Sequence, residues 1–192
     1  MRIADASVWI NLIATERAHV ILSATSVPLR ITDVALAELE RGRSKGRQAA
    51  DEMAGLLHMG LTEVVALAAE DEALFLSLVS GAAAETLDDG EAATLACAYR
   101  LGAGALIDER KATQIAAKRF ETLTVLSTVD LLLSPEVRSA CGEDLGDVLF
   151  AALTGARMCV PDHHADEIVR VVGAERAMRC HSLPARVRRP AG

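Results

Sequence analysis

The amino-acid sequence predicts an α/β fold built on a parallel sheet of five strands, followed by a helical C-terminal extension. Short apolar runs alternate with longer stretches of helical periodicity over the first 133 residues, which is typical of parallel strands joined by helices. After Ser134 and Pro135 the strand pattern stops and only helical periodicity remains. Because 192 residues suffice for one full hydrophobic core, we expect one main domain, residues 1–133, and an extension, residues 134–192.

The predicted strands are short and apolar, and polar residues able to begin a helix follow several of them. They are residues 2–5, 29–31, 61–67, 105–108 and 123–126. We expect Ser7 to cap a helix through Trp9 after the first strand, and Thr32 to cap a helix that ends at Gly42 after the second.

The remaining helices are predicted from apolar spacing and from their capping residues. Asp88 or Asp89 is expected to cap a helix of small residues that ends before Gly102. In chain order the predicted helices are residues 44–58, 70–79, 92–101, 111–120, 144–158 and 162–172. The Arg- and Pro-rich end, residues 184–192, is expected to be loose.

Composition excludes several classes of protein. The chain is 51% hydrophobic but has no apolar run near the roughly 18 residues that span a bilayer, so we expect a globular protein with no membrane contact. Asp5 interrupts the segment where an export signal would be apolar, which predicts a cytoplasmic location and four reduced, buried cysteines. The net charge of −7 argues against coating nucleic acid through bulk charge.

The charges are nevertheless unevenly distributed. No Lys or Arg occurs from Gln48 to Tyr99, a segment with ten acidic residues, whereas basic residues cluster on either side of it. Such clusters are commonly solvated helix faces, but they also suit an enzyme that holds a phosphate chain over a metal. The candidate nucleic-acid contacts are Arg41, Arg43, Lys45, Arg110 and Lys111.

Four acidic residues fall where the predicted fold can bring them together. Asp5 and Asp108 end the first and fourth strands, and a reversal of winding between those strands would place them side by side. Glu91 lies in the first turn of the preceding helix, where the helix dipole favours an anion. Glu38 shares a helix face with the apolar Val34, which favours it over Glu40, although spacing alone leaves that choice open.

Converging carboxylates need protons or a cation. Two like charges about 4 Å apart repel by about 4 kcal/mol at an effective dielectric constant of about 20. Oxygen ligands favour Mg²⁺ or Mn²⁺ over zinc, and such ions can activate water for attack on a phosphodiester. Taken singly, each acid is better explained as a helix cap or a surface charge, because caps are far more frequent than metal ligands, so the prediction rests on their joint pattern.

Four stretches of the chain resemble the PIN-domain nucleases, and within them the VapC-type toxin ribonucleases and their uncharacterised prokaryotic relatives. The stretches contain Ile3-Ala4-Asp5-Ala6-Ser7, Val34-Ala35-Leu36-Ala37-Glu38-Leu39, Asp89-Gly90-Glu91-Ala92-Ala93-Thr94-Leu95-Ala96 and Leu106-Ile107-Asp108-Glu109-Arg110-Lys111-Ala112. Residues 123–133 resemble the last strand of that family and its following helix. The resemblance covers residues 1–133.

The resemblance implies a three-layer α/β/α fold with strand order 3-2-1-4-5 and an acidic site at the C-terminal ends of strands one and four. It implies that Asp5, Glu38, Glu91 and Asp108 are catalytic and bind Mg²⁺ or Mn²⁺, with Ser7 and Glu109 supporting the site. It also implies an RNA substrate, an antitoxin that covers the site, and a homodimer. Three departures from the family pattern are Glu91 in place of the commoner Asp, Glu109 directly after Asp108, and a long extension.

A non-catalytic alternative is a PIN-like binding module that docks a protein partner, or a zinc-stabilised complex, through its C-terminal extension. Potential zinc ligands in the extension are Cys159, His163, His164, Cys180 and His181. Their spacing is irregular for structural zinc, which favours buried thiols and surface histidines.

Overall fold

A computed structural model of the protein describes residues 1–43 and 48–188. Its five strands form one parallel sheet in the order β3-β2-β1-β4-β5, with helices around it. The predicted α/β/α fold and strand order are therefore confirmed. The strands are β1 Arg2–Ala4, β2 Leu29–Thr32, β3 Val64–Val65, β4 Gly104–Leu106 and β5 Val125–Leu126.

Helices account for most of the remaining described chain. Those in the first two thirds are α1 Ala6–Ala14, α2 Ala18–Ala24, α3 Asp33–Arg43, α4 Ala49–His58, α5 Glu72–Val79, α6 Asp89–Arg100 and α7 Arg110–Arg119. Those in the last third are α8 Thr128–Leu132, α9 Pro135–Cys141, α10 Leu145–Ala151, α11 Ala165–Val172 and α12 Ala174–Ala177.

The described residues form two compact units. The first contains residues 1–9 and 27–126, and the second contains residues 10–26 and 127–188. The first unit carries the whole sheet. The second is helical: α9 packs against α2, α8 and α10, and α11 packs against α10 and α12. The predicted division between residues 133 and 134 stays a prediction.

The C-terminal ends of β1 and β4 lie side by side. Ala4 is the register partner of Leu106, and the Asp5 backbone N–H donates to the Leu106 carbonyl at 3.1 Å. On the far side of β4, the Ile107 N–H donates to the Leu126 carbonyl at 2.9 Å. Parallel pairing therefore continues one residue past both strands, and the chain leaves the sheet at Asp5 and after Ile107.

Helix α6 holds this edge of the sheet in place. Its residues from Gly90 to Ala98 are all buried, and it packs on β1, β2 and β4 as well as on α3 and α5. Small side chains let the helix approach the sheet closely, and Leu95 fills the core together with Ile3 and Ile107. Close packing fixes the first turn of α6 beside the ends of β1 and β4.

Several predicted caps are confirmed, whereas Ser7 as an N-cap was wrong. The Ala35 N–H donates to Thr32 Oγ1 at 3.1 Å, and Asp88, not Asp89, caps α6. Helix α1 begins at Ala6, so Ser7 lies inside it. Asp5 provides the cap, because its Oδ2 accepts the Ser7 N–H at 3.2 Å.

Several strands and helices have boundaries that differ from the predicted ones. The edge strands pair over only two residues each, far fewer than the apolar runs 61–67 and 123–126 suggested. The predicted helix 70–79 begins with a 3₁₀ turn at Ala69–Asp71, and the predicted helix 144–158 ends in a π turn at Ala152–Ala156. The predicted start of helix 44–58 falls outside the described residues.

Trp9 and three of the four cysteines lie in the interior. Trp9 is fully buried, and its indole Nε1–H donates to the Ala4 carbonyl at 3.2 Å. Cys97, Cys141 and Cys180 are buried as predicted, whereas Cys159 is exposed. Within the part of the chain that the structure describes, no helix is both long and apolar enough to cross a membrane.

Candidate functional site

The side chain of Asp5 is buried at the end of β1, and its two oxygens differ in their hydrogen bonding. Its Oδ2 accepts the Ser7 hydroxyl at 2.8 Å as well as the Ser7 N–H. Its Oδ1 is buried and has no hydrogen-bond partner among residues 1–43 and 48–188. Burial raises the pKa of Asp5 against the opposing effect of the Ser7 hydrogen bonds, and the charge of Asp88 adds to the increase.

Gly90, in the first turn of α6, marks the point where two predicted site residues meet. A Cβ atom at Gly90 would lie 2.8 Å from Glu38 Oε2, 3.1 Å from Asp5 Oδ1 and 3.6 Å from Asp88 Oδ1. The unpartnered Asp5 oxygen and the Glu38 carboxylate thus converge on the same small space. Only glycine leaves that space open, because any larger side chain would displace one of the two carboxylates.

Helix α3 brings Glu38 to this point. The helix buries Ala35 and Leu39, so Glu38 lies beside its buried face and reaches Gly90 although much of the residue is exposed. Glu40 is also exposed, but it is not among the nearest neighbours of Gly90. The geometry favours Glu38 in the choice that spacing left open.

Glu91 is the second buried acid of the site. It is only 5% exposed, and a capping box holds it: Asp88 Oδ1 accepts the Glu91 N–H at 2.8 Å, and Glu91 Oε2 accepts the Asp88 N–H at 3.3 Å. Burial, followed by the charges of Asp88, Asp5 and Glu109, raises the pKa of Glu91 to about 7. These contributions show that the acidic side chains around Glu91 repel its charged form.

Asp108 and Glu109 lie on the segment between β4 and α7. Asp108 is half-buried and lies two residues past the end of β4, the strand that pairs with β1. Glu109 caps α7 by accepting the Ala112 N–H at 2.7 Å. Asp108 is therefore not the N-cap of α7, which was the alternative explanation of this acidic residue. The structure therefore brings Asp108 to the same sheet edge as Asp5.

The predicted ligands approach one another only in part. Asp5 and Glu38 meet at Gly90. Within residues 1–43 and 48–188, one trio of His, Cys, Asp or Glu ligand atoms lies within 4.8 Å of one another, and it contains none of the four predicted ligands. An all-oxygen donor set of this kind fits Mg²⁺ or Mn²⁺, since Mg²⁺ keeps several waters and needs only one or two direct carboxylates.

The predicted nucleic-acid contacts differ in their surroundings. Arg41 and Arg110 are exposed at the end of α3 and the start of α7. Arg43 forms an ion pair with Asp51, and the Lys111 ammonium donates to the Ala83 carbonyl at 3.3 Å. Lys45 lies outside the described residues.

The candidate zinc ligands of the extension separate from one another. His163 and His164 form the 4.8 Å trio with Asp130. Cys180 is buried, and its thiol donates to the Arg176 carbonyl at 3.3 Å. Neither Cys159, Cys180 nor His181 joins the two histidines among the described residues.

A parallel sheet in this order, with carboxylates gathered at the ends of its central strands, defines a class of α/β proteins with an acidic centre at the sheet edge. A family model described as a PIN domain matches residues 1–174, and the chain belongs to the PIN-domain family. PIN domains are generally nucleases that use divalent metals. Neither a curated protein nor a solved structure shows a significant match to the chain.

Sequence reasoning missed two contributors to the site. In the sequence, Gly90 is only one position of the PIN-like motif, and Asp88 is only a candidate helix cap. Asp88 is exposed, yet its charge raises the pKa of both Asp5 and Glu91. The signal for Gly90 was a glycine inside an otherwise helix-favouring run, which commonly indicates a close approach of other atoms.

Replacing Gly90 with alanine should test the convergence of carboxylates directly. We expect Gly90→Ala to fall short of the about 0.5–1 kcal/mol by which alanine ordinarily stabilises a helix relative to glycine, because the added methyl group meets the buried Asp5 Oδ1 and must displace the flexible end of Glu38. Urea unfolding measures the change. The matched control is Gly55→Ala in α4, where a Cβ would meet nothing within 4 Å and alanine should stabilise by about 0.5–1 kcal/mol. Equal stabilisation by both changes would contradict the packing at Gly90.

Proposed function

We propose that this PIN-domain protein is a metal-dependent endoribonuclease that hydrolyses RNA phosphodiester bonds, with Asp5, Glu38, Glu91 and Asp108 as its catalytic metal ligands. The observation that carries the proposal is the buried Asp5 Oδ1, which has no hydrogen-bond partner among the described residues and shares the space at Gly90 with Glu38 Oε2. A buried carboxylate oxygen without a partner is costly unless a proton or a cation compensates it.

The donor set supports Mg²⁺ or Mn²⁺ as the cofactor. All four proposed ligands are carboxylates, which are hard oxygen donors, and the family generally uses divalent metals. When bound, the ion lowers the pKa of water and stabilises negative charge on a phosphate.

The chain's own residues position these ligands. Ser7 fixes the rotamer of Asp5 through two hydrogen bonds to Oδ2 and so leaves Oδ1 directed at the site. The Asp88 cap holds the Glu91 carboxylate at the start of α6. Because Glu91 has a pKa of about 7, it also exchanges a proton near neutral pH when no cation is present. Ser7 and Glu109 are positioning residues in this proposal.

The choice of RNA, and the biological setting, rest on the resemblance to VapC-type toxins. We propose that the protein acts as the toxin of a type II toxin–antitoxin pair, is inhibited by an antitoxin that covers the acidic site, and forms a homodimer in the cytoplasm. Arg41, Arg43, Lys45, Arg110 and Lys111 are the proposed contacts to RNA phosphates. Exposure of Arg41 and Arg110 supports that role for these two.

The experiment is a cleavage assay with the full-length protein on matched single-stranded RNA and DNA oligonucleotides. We expect endonucleolytic RNA cleavage with Mn²⁺ or Mg²⁺ and none with excess chelator, since the ion supplies the activated water. Cleavage in chelator would contradict the metal requirement. An inert protein on both substrates with either ion would contradict the nuclease proposal, and preferential cleavage of DNA would contradict the choice of RNA.

A further inference from the structure

A second cluster of ligating side chains lies in the helical unit, which does not contain the proposed nuclease ligands. One atom from each of Asp130, His163 and His164 lies within 4.8 Å of the other two. Asp130 is on α8, whereas the two histidines end the 3₁₀ turn Asp162–His164 that precedes α11. The closest pair is His164 Nε2 and Asp130 Oδ1, at 2.7 Å.

The carboxylate of Asp130 is held so that only one oxygen faces the histidines. Its Oδ2 accepts the Ser127 N–H at 2.8 Å and the Ser127 hydroxyl at 2.6 Å, as part of the capping box of α8. Oδ1 is thereby directed at His164. These hydrogen bonds and His164 lower the pKa of Asp130 despite its partial burial.

A second carboxylate lies behind His164. Glu167 Oε2 is 4.0 Å from His164 Nδ1, on the side of the ring opposite Asp130, and Arg138 holds the other oxygen of Glu167. Metal-binding histidines commonly direct their second ring nitrogen at a carboxylate, which fixes the tautomer and the ring orientation. In His164 the Nδ1 atom is the one nearer Glu167, and Nε2 is the ring nitrogen that contacts Asp130.

His163 adds a third ligand that the Asp130–His164 hydrogen bond does not need. Its ring centroid lies 4.1 Å from that of His164, so the two imidazole rings lie against each other. A hydrogen bond between Asp130 and His164 would be complete without His163. A cation between the rings and the carboxylate accounts for all three side chains.

We propose that Asp130, His163 and His164 bind Zn²⁺. Two imidazole nitrogens and one carboxylate oxygen are a donor set that suits zinc better than Mg²⁺. Zinc with ligands at about 2.0–2.1 Å in tetrahedral geometry needs the three atoms to settle about 3.3 Å apart, which small side-chain rotations supply. Three protein ligands leave a fourth position, and the exposure of His163 opens it to water or to a ligand from solution.

Zinc bound here would join α8 to the turn before α11. The ligands are separated by more than thirty residues of chain, so the ion would close a long loop through α9 and α10. Binding to the folded state alone should then stabilise the helical unit by linkage.

The test uses the full-length protein, stripped with chelator and titrated with Zn²⁺ or with Co²⁺ as a spectroscopic probe. We expect about one zinc ion per chain by calorimetry and metal analysis, a rise in Tm, and a tetrahedral Co²⁺ absorption spectrum. His163→Gln should weaken zinc binding roughly 100-fold while leaving the Tm of the zinc-free protein unchanged, because His163 is exposed. Asp130→Asn should weaken binding similarly, with a lower Tm because Ser127 loses an anionic acceptor.

Two control variants separate this site from other zinc contacts. His181→Gln removes another exposed histidine of the same unit and should bind zinc as the wild type does. Asp5→Asn removes a proposed nuclease ligand and should also retain the zinc ion. The inference is overturned if the wild type binds no zinc at neutral pH, if His163→Gln binds it unchanged, or if Asp5→Asn abolishes it.

Discussion

Asp5→Asn is expected to lower Mn²⁺-dependent RNA cleavage by at least about 100-fold while raising the Tm of the protein in chelator. A metal ligand contributes several kcal/mol to stabilising charge in the transition state, and about 3 kcal/mol corresponds to about 100-fold in rate. The stability should change in the opposite direction because Asp5 is buried and its raised pKa shows that the fold disfavours its charge. Asparagine keeps an oxygen that accepts the Ser7 N–H and hydroxyl.

Opposite changes in activity and stability distinguish a functional carboxylate from a structural one. If Asp5 served only as the cap of α1, asparagine, which caps helices as well as aspartate does, would leave the cleavage rate of the folded protein unchanged. The assay therefore pairs cleavage rates with melting curves recorded in chelator and in Mn²⁺. Mn²⁺ should raise the Tm of the wild type more than that of Asp5→Asn. A variant that keeps its cleavage rate would contradict the proposed role of Asp5.

A matched pair on α3 extends the same test. Glu38→Gln should lose activity as Asp5→Asn does, because Glu38 Oε2 faces the space at Gly90. Glu40→Gln makes the same chemical change two residues away on an exposed position and should cleave RNA at the wild-type rate. Equal loss of RNA cleavage in both variants would indicate that the total charge of α3, and not the position of Glu38, determines the cleavage rate.

Topology explains why much of this arrangement could be predicted from sequence. Alternating apolar runs indicate parallel strands, and parallel strands end at one edge, so Asp5 and Asp108 could be brought together without any side-chain geometry. Thr32 and Asp88 could be predicted as caps because capping depends on local sequence. These inferences need only the chain's periodicity.

The unpredicted details depend on tertiary contacts. Asp5, and not the predicted Ser7, caps α1, because Asp5 is buried beside β4 and its nearest donors are the Ser7 N–H and hydroxyl. The role of Gly90 depends on atoms from β1 and α3 that lie far away in sequence. Asp130 joins His163 and His164 only through packing of the helical unit. The sequence grouped the two histidines with Cys159, Cys180 and His181, and the irregular spacing of that set favoured buried thiols and surface histidines.

Without divalent cations, the free energy of unfolding is expected to fall by about 3 kcal/mol as the pH rises from about 4.5 to above 7. The folded-state pKa of Glu91 is about 7, against an ordinary value of 4.5, because burial and then the charge of Asp88 disfavour the carboxylate. Over that interval the folded protein keeps a proton that the unfolded chain has released, so stability decreases with pH. Urea unfolding at a series of pH values in chelator measures the decrease.

Glu91→Gln should remove the part of this decrease that Glu91 causes while preserving the capping box, since the glutamine oxygen can still accept the Asp88 N–H. The raised pKa of Asp5 contributes a further decrease of the same sign, which Glu91→Gln leaves in place. Glu40→Gln, an exposed change of equal charge, should keep the wild-type profile. A Glu91→Gln profile identical to that of the wild type would show that Glu91 does not hold the proton.

Mn²⁺ should act on the same carboxylates in competition with protons. The ion binds their charged forms, so its stabilising effect on the wild type should be small near pH 5 and large near pH 8. Because the cation offsets the repulsion of Glu91 by Asp5, Asp88 and Glu109, saturating Mn²⁺ should flatten or reverse the decline of stability with pH. Equal stabilisation by Mn²⁺ at pH 5 and pH 8 would indicate an ion bound away from these acids, whereas a proton-linked effect that Glu91→Gln diminishes would place it among them.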